Sequence, residues 1–161
     1  MPVVNSKQDL DSLTFTIVTD LAAPPARVWQ IWSDARQLER WWGPPTWPAT
    51  FDEHDLSVGG GSRYYMTGPE GEKERGWWKI LELEEAHSLE FDDGFSHESG
   101  EPDDSMPVIR AQVELEETPT GTRMTINSRF ATLEQMQKVL EMGMVEGMTE
   151  AMGQIDAVIA T

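Results

Sequence analysis

The chain contains no cysteine and few basic residues for its length. Of its 161 residues, 12 are lysine or arginine and 29 are aspartate or glutamate, which gives a net charge of −17. A field of that sign repels phosphate backbones and anionic lipid headgroups, so we expect no nucleic-acid partner and no membrane attachment. Because disulfides are excluded, the core must come from side-chain packing, which a chain of this length can supply.

Long apolar runs are also missing. No stretch approaches the roughly 20 apolar residues of a membrane-spanning helix, so no membrane insertion is expected. Residues 1–12 lack a basic start followed by an apolar run, and therefore show no secretory signal. Together with the lack of cysteine, this predicts a cytoplasmic protein. We expect residues 1–12 to form a flexible tail and residues 13–161 to form a single domain.

Motifs of catalytic, metal and nucleotide sites are absent as well. His54, His87 and His97 are scattered, without metal-ligand spacing, and the acidic neighbours of His54 are typical of a solvated strand position. The chain has no GxSxG, and no GK[ST] follows the glycines at 59–61. The sequence therefore predicts no metal site, no cofactor and no identifiable catalytic residue, and it leaves enzyme activity open.

The sequence does carry a clear order of strand and helix patterns. Alternation over residues 13–18 predicts a strand, and helical spacing after Pro24 and Pro25 predicts a short helix over 25–33. A second short helix over 34–40 is expected to end at the Gly43-Pro44-Pro45 stop. Strands and turns fill residues 48–129. Within them, the switch from even to odd apolar positions in 73–84 indicates a bulge.

Residues 92–105 carry six acidic residues and no lysine or arginine, which predicts an exposed, mobile loop. The two segments that follow, 109–116 and 123–130, alternate strictly between apolar and polar residues. This pattern predicts a long amphipathic hairpin with one wet face.

The last pattern predicts one helix over about 132–159, capped by Thr132. Its apolar stripe must face the sheet. The stripe consists of Leu133, Met136, Gln137, Leu140, Met144, Gly147, Met148, Ala151, Ile155 and Val158. This order predicts an α+β fold: a curved antiparallel sheet of about six to seven strands around a long C-terminal helix, with two short helices after the first strand.

Several local motifs, in this order, resemble those of a known superfamily. They are Ala23-Pro24 through Trp29, Arg40-Trp41-Trp42-Gly43-Pro44, Gly59-Gly60, Gly76-Trp77-Trp78, Leu89-Glu90-Phe91, Gly121 through Thr125, and Met142 through Met148. Residues 13–159 thereby resemble the START/Bet v 1-like (SRPBCC) superfamily, and within it the branch of activator of heat-shock protein 90 ATPase homologues. The resemblance implies a helix-grip fold with a cavity for lipids, polyketides or other apolar small molecules, and it transfers no particular reaction.

The candidate cavity residues are aromatic, aliphatic, methionine and glycine residues of the strands, the short-helix region and the long helix. They are Trp41, Trp42, Tyr64, Tyr65, Trp77, Trp78, Phe91, Phe95, Met106, Ile109, Met136, Leu140, Gly143, Met144 and Gly147. The pattern does not indicate which residue of each adjacent pair, Tyr64 and Tyr65 or Trp77 and Trp78, faces inward. The tryptophans either stack on a ligand or plug the end of the grip, and the methionines form either a pocket wall or plain core.

Glycines inside the helix each cost about 1 kcal/mol relative to alanine. Gly143 and Gly147 therefore either leave room for a ligand or let another element approach closely. Met142, opposite the stripe, indicates a possible homodimer contact. Three functions follow from these residues and the resemblance: binding of an apolar or aromatic small molecule; an enzyme of the cyclase, dehydratase or hydrolase kind; or a co-chaperone-like or stress-response interaction domain.

Overall fold

Alternating apolar and polar residues build an eight-stranded antiparallel sheet in the computed structural model, which describes residues 3–160. The strand order is β1-β2-β8-β7-β6-β5-β4-β3. The strands are β1 (Val3–Asp9), β2 (Thr14–Leu21), β3 (Ala49–His54), β4 (Gly61–Thr67), β5 (Lys73–Glu84), β6 (Ser88–Phe95), β7 (Ile109–Thr118) and β8 (Gly121–Arg129). The helix-grip architecture expected from the sequence is confirmed, with more strands than the six to seven predicted.

Two short helices follow β2, α1 (Pro25–Ser33) and α2 (Ala35–Leu38). Pro25 begins α1, where its missing N–H costs no hydrogen bond. The side chain of Asp34 caps α2 by accepting a hydrogen bond from the backbone N–H of Arg36 at 2.9 Å. Because the apolar face of α1 is buried, the helix holds Trp32 against the sheet with no exposed surface.

The predicted hairpin is the most regular part of the sheet. Along β7, residues alternate between buried and exposed from Ile109 to Glu116, and β8 alternates in the same way. The buried positions define the inner face of the sheet, which the helices cover. The exposed positions define its outer face.

The prediction of a flexible tail over residues 1–12 is wrong for the portion of this segment that the structure describes. Val3–Asp9 forms β1, which pairs with β2 along the edge of the sheet. The pattern failed here because Asn5, Ser6 and Lys7 are exposed and polar, so this edge strand has no alternation to detect. Residues 1, 2 and 161 lie outside the described residues.

The loop expected over 92–105 begins later than predicted. Strand β6 continues to Phe95, and an isolated bridge joins Ser96 to Pro102 beyond it. The acidic residues hid the fact that Leu89, Phe91, Asp93 and Phe95 keep the period of two that a strand requires. Asp93 therefore lies on the inner face of the sheet.

The prediction of a single long helix over 132–159 is also wrong. The segment forms three helices: α3 (Leu133–Glu141), α4 (Met144–Met152) and α5 (Ile155–Ile159). Between α3 and α4, Gly143 adopts φ +91° and ψ 25°, a left-handed conformation that ends a helix and favours glycine. The stripe expected for one continuous helix does not hold within α3, where Val139 is buried and Gln137 is exposed.

Candidate functional site

Aromatic rings from six segments, namely α1, the turn after α2 and the four strands β3 to β6, meet on the inner face between the sheet and the helices. We call the group of Trp32, Trp41, Trp42, Phe51, Tyr64, Trp78 and Phe91 the aromatic cluster. Its ring centroids lie 4.2 Å apart for Trp78 and Phe91, 4.8 Å apart for Trp42 and Trp78, and 5.0 Å apart for Phe51 and Tyr64. The second and third separations lie within the range in which aromatic pairs contribute energy beyond area burial, and the first is slightly shorter.

The register of the strands settles which of the paired aromatic residues face inward. Tyr64 and Trp78 lie on the inner face. Tyr65 and Trp77 lie on the outer face, where Lys73 approaches the Tyr65 ring at 4.5 Å and the Trp77 indole N–H donates to the Phe95 carbonyl at 3.1 Å. Tyr65 and Trp77 are therefore not lining residues of a cavity under the helices. The predicted bulge in β5 is confirmed between Ile80 and Glu82.

A hydrogen bond joins the cluster to a carboxyl group that sequence reasoning missed. The Tyr64 hydroxyl donates to Asp93 Oδ1 at 2.8 Å, reaching from β4 across β5 to β6. Gly76 of β5 lies directly beside Tyr64 in the register. A Cβ atom at this position would lie 2.6 Å from the Tyr64 hydroxyl oxygen, so the bond requires glycine there.

Both partners of this hydrogen bond have perturbed acidity. Burial raises the pKa of Asp93 from 3.8 to about 7, because the desolvation of the carboxylate outweighs the lowering by the Tyr64 hydroxyl. Burial, together with the neighbouring Asp93, raises the pKa of Tyr64 well above 10. A carboxyl group near half ionisation at neutral pH, placed among aromatic rings, is an unusual feature for a purely structural core.

Two indole groups beside this pair are unsatisfied. The Nε1 atoms of Trp42 and Trp78 are buried and have no hydrogen-bond partner among the described residues. Both indole N–H groups approach the Tyr64 hydroxyl, and hydrogen bonding from them lowers its pKa against the larger effects of burial and Asp93, although neither reaches full hydrogen-bond geometry. Buried donors without acceptors cost free energy, so they mark positions where an acceptor from outside the protein would be stabilised.

His54 lies behind the cluster and is not the solvated residue expected from the sequence. Its ring nitrogens are 2.7 Å from Ser62 Oγ and 2.7 Å from the Trp32 carbonyl oxygen. Desolvation lowers the pKa of His54, so the neutral imidazole is favoured. The flanking acidic residues misled the prediction, because an irregularity between Phe51 and Glu53 shifts the alternation of β3 and brings His54 beside Phe51 and Trp78.

The C-terminal helices contact the segment that carries two of the cluster rings. Gln154, between α4 and α5, donates to the Gly43 carbonyl at 2.7 Å and so holds this junction against the segment that carries Trp41 and Trp42. Leu140, Met144 and Met148 pack against the core but stay partly exposed.

The remaining candidates are spread around this interior. Met136 and Ile109 are buried core residues, Phe95 is partly exposed at the end of β6, and Met106 lies in the loop after it, where Lys138 Nζ approaches its sulfur at 3.7 Å. Nothing lies within 4 Å of a Cβ atom built at Gly143 or Gly147, so close approach of another element does not explain either glycine.

Two open depressions lie on the outer face of the sheet instead of under the helices. One, of about 440 Å³, is lined by polar side chains such as Thr14, Gln112 and Asn127. The other, of about 480 Å³, lies beside Trp77 and Arg110. Within residues 3–160, no group of histidine and acidic side chains is placed to hold a metal ion, and no helix is long and apolar enough to cross a membrane.

Known structures with the same architecture cover nearly the whole chain. A solution structure of a protein from Arthrobacter aurescens is 56% identical, with 98% of this chain and 92% of that chain aligned at a TM-score of 0.94. Protein Ms6760 from Mycobacterium smegmatis is 48% identical over 98% of this chain and 96% of its own, at a TM-score of 0.90. Protein NE0264 from Nitrosomonas europaea is 27% identical over 92% and 95%, at a TM-score of 0.80. No curated protein matches the chain.

A family model agrees with these structural matches. The model described as "Activator of Hsp90 ATPase homolog 1-like protein" matches residues 22–160, from the end of β2 to the end of α5. The fold is of the kind that binds small hydrophobic ligands in this superfamily. The chain therefore belongs to the activator of Hsp90 ATPase homolog 1-like family, within the START/Bet v 1 superfamily.

Proposed function

We propose that the protein binds an apolar, aromatic small molecule at the partly exposed side of the aromatic cluster. The observation that carries this proposal is the pair of unpartnered indole N–H groups of Trp42 and Trp78 beside the Tyr64–Asp93 hydrogen bond. An apolar ligand that carries one acceptor oxygen matches both the apolar surface of the rings and the unpartnered N–H groups. Its rings stack on the cluster and its oxygen accepts from the indoles.

The site lies at the rim of the cluster because its deeper rings already pack closely. Trp32 and Trp41 are at most 1% exposed, and the Trp41 indole N–H donates to the Ile31 carbonyl. These two residues plug the grip. Trp42, Tyr64 and Asp93 are only partly buried, whereas Trp78 and both indole Nε1 atoms are buried. A ligand therefore reaches the indoles when side chains at the rim move aside, and the plug stays in place.

The helical side of the site has adaptable walls. Met144 and Met148 of α4 are partly exposed, and thioether side chains change conformation at low cost. Gly147 between them borders open space. These features support the pocket interpretation for the methionines and for Gly147, which no packing contact requires, whereas the left-handed conformation of Gly143 accounts for that glycine.

A matched pair of ligands tests the proposal. We expect 2-tetralone to stabilise the protein in a thermal unfolding assay and tetralin, which lacks the oxygen, to bind more weakly by calorimetry. One hydrogen bond contributes about 1 kcal/mol, so the ketone should bind about fivefold more tightly for each indole engaged. A panel of such bicyclic compounds that left the melting temperature unchanged would contradict the proposal.

Substitution of the indoles separates hydrogen bonding from stacking. Trp42→Phe and Trp78→Phe remove the N–H and keep an aromatic ring, so each should reduce the preference for 2-tetralone over tetralin. Trp47→Phe is the matched control, because the structure gives Trp47 no ring contact with the cluster. If all three variants kept the wild-type preference, the ligand oxygen would not lie at the indoles.

The family description names an activator of Hsp90 ATPase, and the chaperone-partner function stays a prediction for this chain. Purified protein mixed with an Hsp90 would test it by co-elution. The cytoplasmic location and the homodimer are likewise predictions. Met142, the proposed dimer contact, is 56% exposed, and native mass spectrometry reports the stoichiometry directly.

A further inference from the structure

We propose that the site also catalyses proton transfer at the carbon next to a ketone: Asp93 removes the proton, and the indole N–H groups of Trp42 and Trp78 stabilise the enolate oxygen. This inference rests on the proposed function, since a ketone must first bind at the cluster. It adds a reaction and a substrate class, neutral enolisable carbonyl compounds. The residues come from four separate segments of the fold, the turn after α2 and strands β4, β5 and β6.

A base and oxyanion donors are present together at this site. The Tyr64 hydroxyl occupies Asp93 Oδ1, and the structure gives Asp93 Oδ2 no partner among the described residues. One carboxylate oxygen is thus available to a substrate, while the other is held in position by Tyr64. The two indole N–H groups approach the Tyr64 hydroxyl without reaching hydrogen-bond geometry, so a stronger acceptor such as an enolate oxygen can compete for them as charge develops during a reaction.

The ionisation state of the Asp93 carboxyl group suits a general base. Burial raises the pKa of Asp93 to about 7, so near neutral pH both the base and its conjugate acid are populated. A general base works best when its pKa lies near the operating pH, because it is then both available and strong enough. Tyr64 is a positioning residue in this scheme. Its own pKa is raised, so it remains a hydrogen-bond donor.

The reaction balances without any further reagent. The Asp93 carboxylate accepts the proton of the carbon next to the carbonyl, and the C–H electron pair forms a C=C bond. The C=O π pair moves to oxygen, where the indole N–H groups donate to the enolate. Protonated Asp93 then returns a proton to the same carbon or to a conjugated one, which regenerates the carboxylate. The net result is racemisation or migration of a double bond.

Hydrogen–deuterium exchange tests the proposal with a defined probe. 2-Tetralone is incubated with purified full-length protein in D₂O, and loss of its C1 proton signals is followed by NMR against buffer alone. We expect the wild-type protein to raise the exchange rate above that in buffer. The rate that the protein adds should fall at least about 100-fold in Asp93→Asn, whose amide cannot accept the proton. Asp104→Asn, the same chemical change at an exposed loop residue, should leave the rate unchanged.

Further variants and a binding measurement separate the possible failures. The double variant Trp42→Phe/Trp78→Phe should slow exchange while Asp93 is intact, so the test does not depend on one variant alone. Tyr64→Phe should shift the pH profile of exchange, which a residue with only a packing role would not do. Exchange at the buffer rate, although calorimetry shows 2-tetralone bound, would overturn this inference and leave the proposed function standing. No binding at all would overturn both.

Discussion

The buried carboxyl group makes a specific prediction about stability and pH. Asp93 has a pKa of about 7 in the folded protein and about 3.8 in the unfolded chain. Between these values the folded state binds more protons than the unfolded state, so the stability from this residue falls as pH rises through the window. Linkage gives a loss of roughly 2–3 kcal/mol between pH 5 and pH 8 as an upper value, because Asp93 is not fully buried.

Asp93→Asn removes this titration and keeps the shape of the side chain and an acceptor for the Tyr64 hydroxyl. We expect the variant to resemble the wild type near pH 4 and to become more stable than it by pH 8. The rest of the acidic chain contributes its own pH dependence, which cancels in the difference between the two proteins.

Urea unfolding of both proteins at four pH values from 4 to 8 measures that difference, with Asp104→Asn as the control for removal of one surface charge. A difference between Asp93→Asn and the wild type that did not change with pH would refute the reasoning. It would mean that the Asp93 carboxyl ionises as it does in water.

Three further predictions concern backbone and packing. Gly76→Ala should destabilise the fold by about 1–3 kcal/mol in urea unfolding and displace Tyr64 from Asp93, because its Cβ would overlap the Tyr64 ring; an unchanged midpoint would contradict this. Gly143→Ala should lower the free energy of unfolding by about 1 kcal/mol or more, because Gly143 has a positive φ. Gly147→Ala should raise it by up to about 1 kcal/mol, because Gly147 lies within α4 and borders open space. Equal effects of the two substitutions in urea unfolding would argue against the helix break. Arg27→Met should lower the melting temperature, with a cost of about 1–2 kcal/mol, since the guanidinium donates to the Val158 carbonyl at 2.9 Å and to Gln37 at 2.7 Å; Arg129→Met is the surface control.

Much of the fold could be predicted because its central elements bury one face against the helices. The hairpin of β7 and β8 alternates without interruption, and α1 has a regular apolar face. The edge strand β1 escaped prediction because its stability comes from backbone pairing with β2, which leaves no side-chain period. The break at Gly143 was missed because a glycine in a helical pattern reads equally as a tolerated residue or as the left-handed end of a helix.

The candidate site was only half visible in the sequence. Its aromatic rings, Trp42, Tyr64, Trp78 and Phe91, were identified from residue type and family resemblance. Asp93 was not identified, because the five other acidic residues between 92 and 105 are typical of a solvated loop and the prediction placed Asp93 in that loop. The signal that could have found it is the period of two running from Leu89 through Phe91 to Phe95, which places position 93 on the inner face.

The hydrogen bond that crosses β5 has a consequence for mutational mapping of this site. Tyr64 reaches Asp93 only because Gly76 contributes no side chain between them. A scan that replaces polar and aromatic residues by alanine would leave Gly76 out, and a scan that includes it would register a loss without any removed contact. The boundary of the site is therefore set partly by an empty volume, and a map of it needs substitutions that add atoms as well as substitutions that remove them.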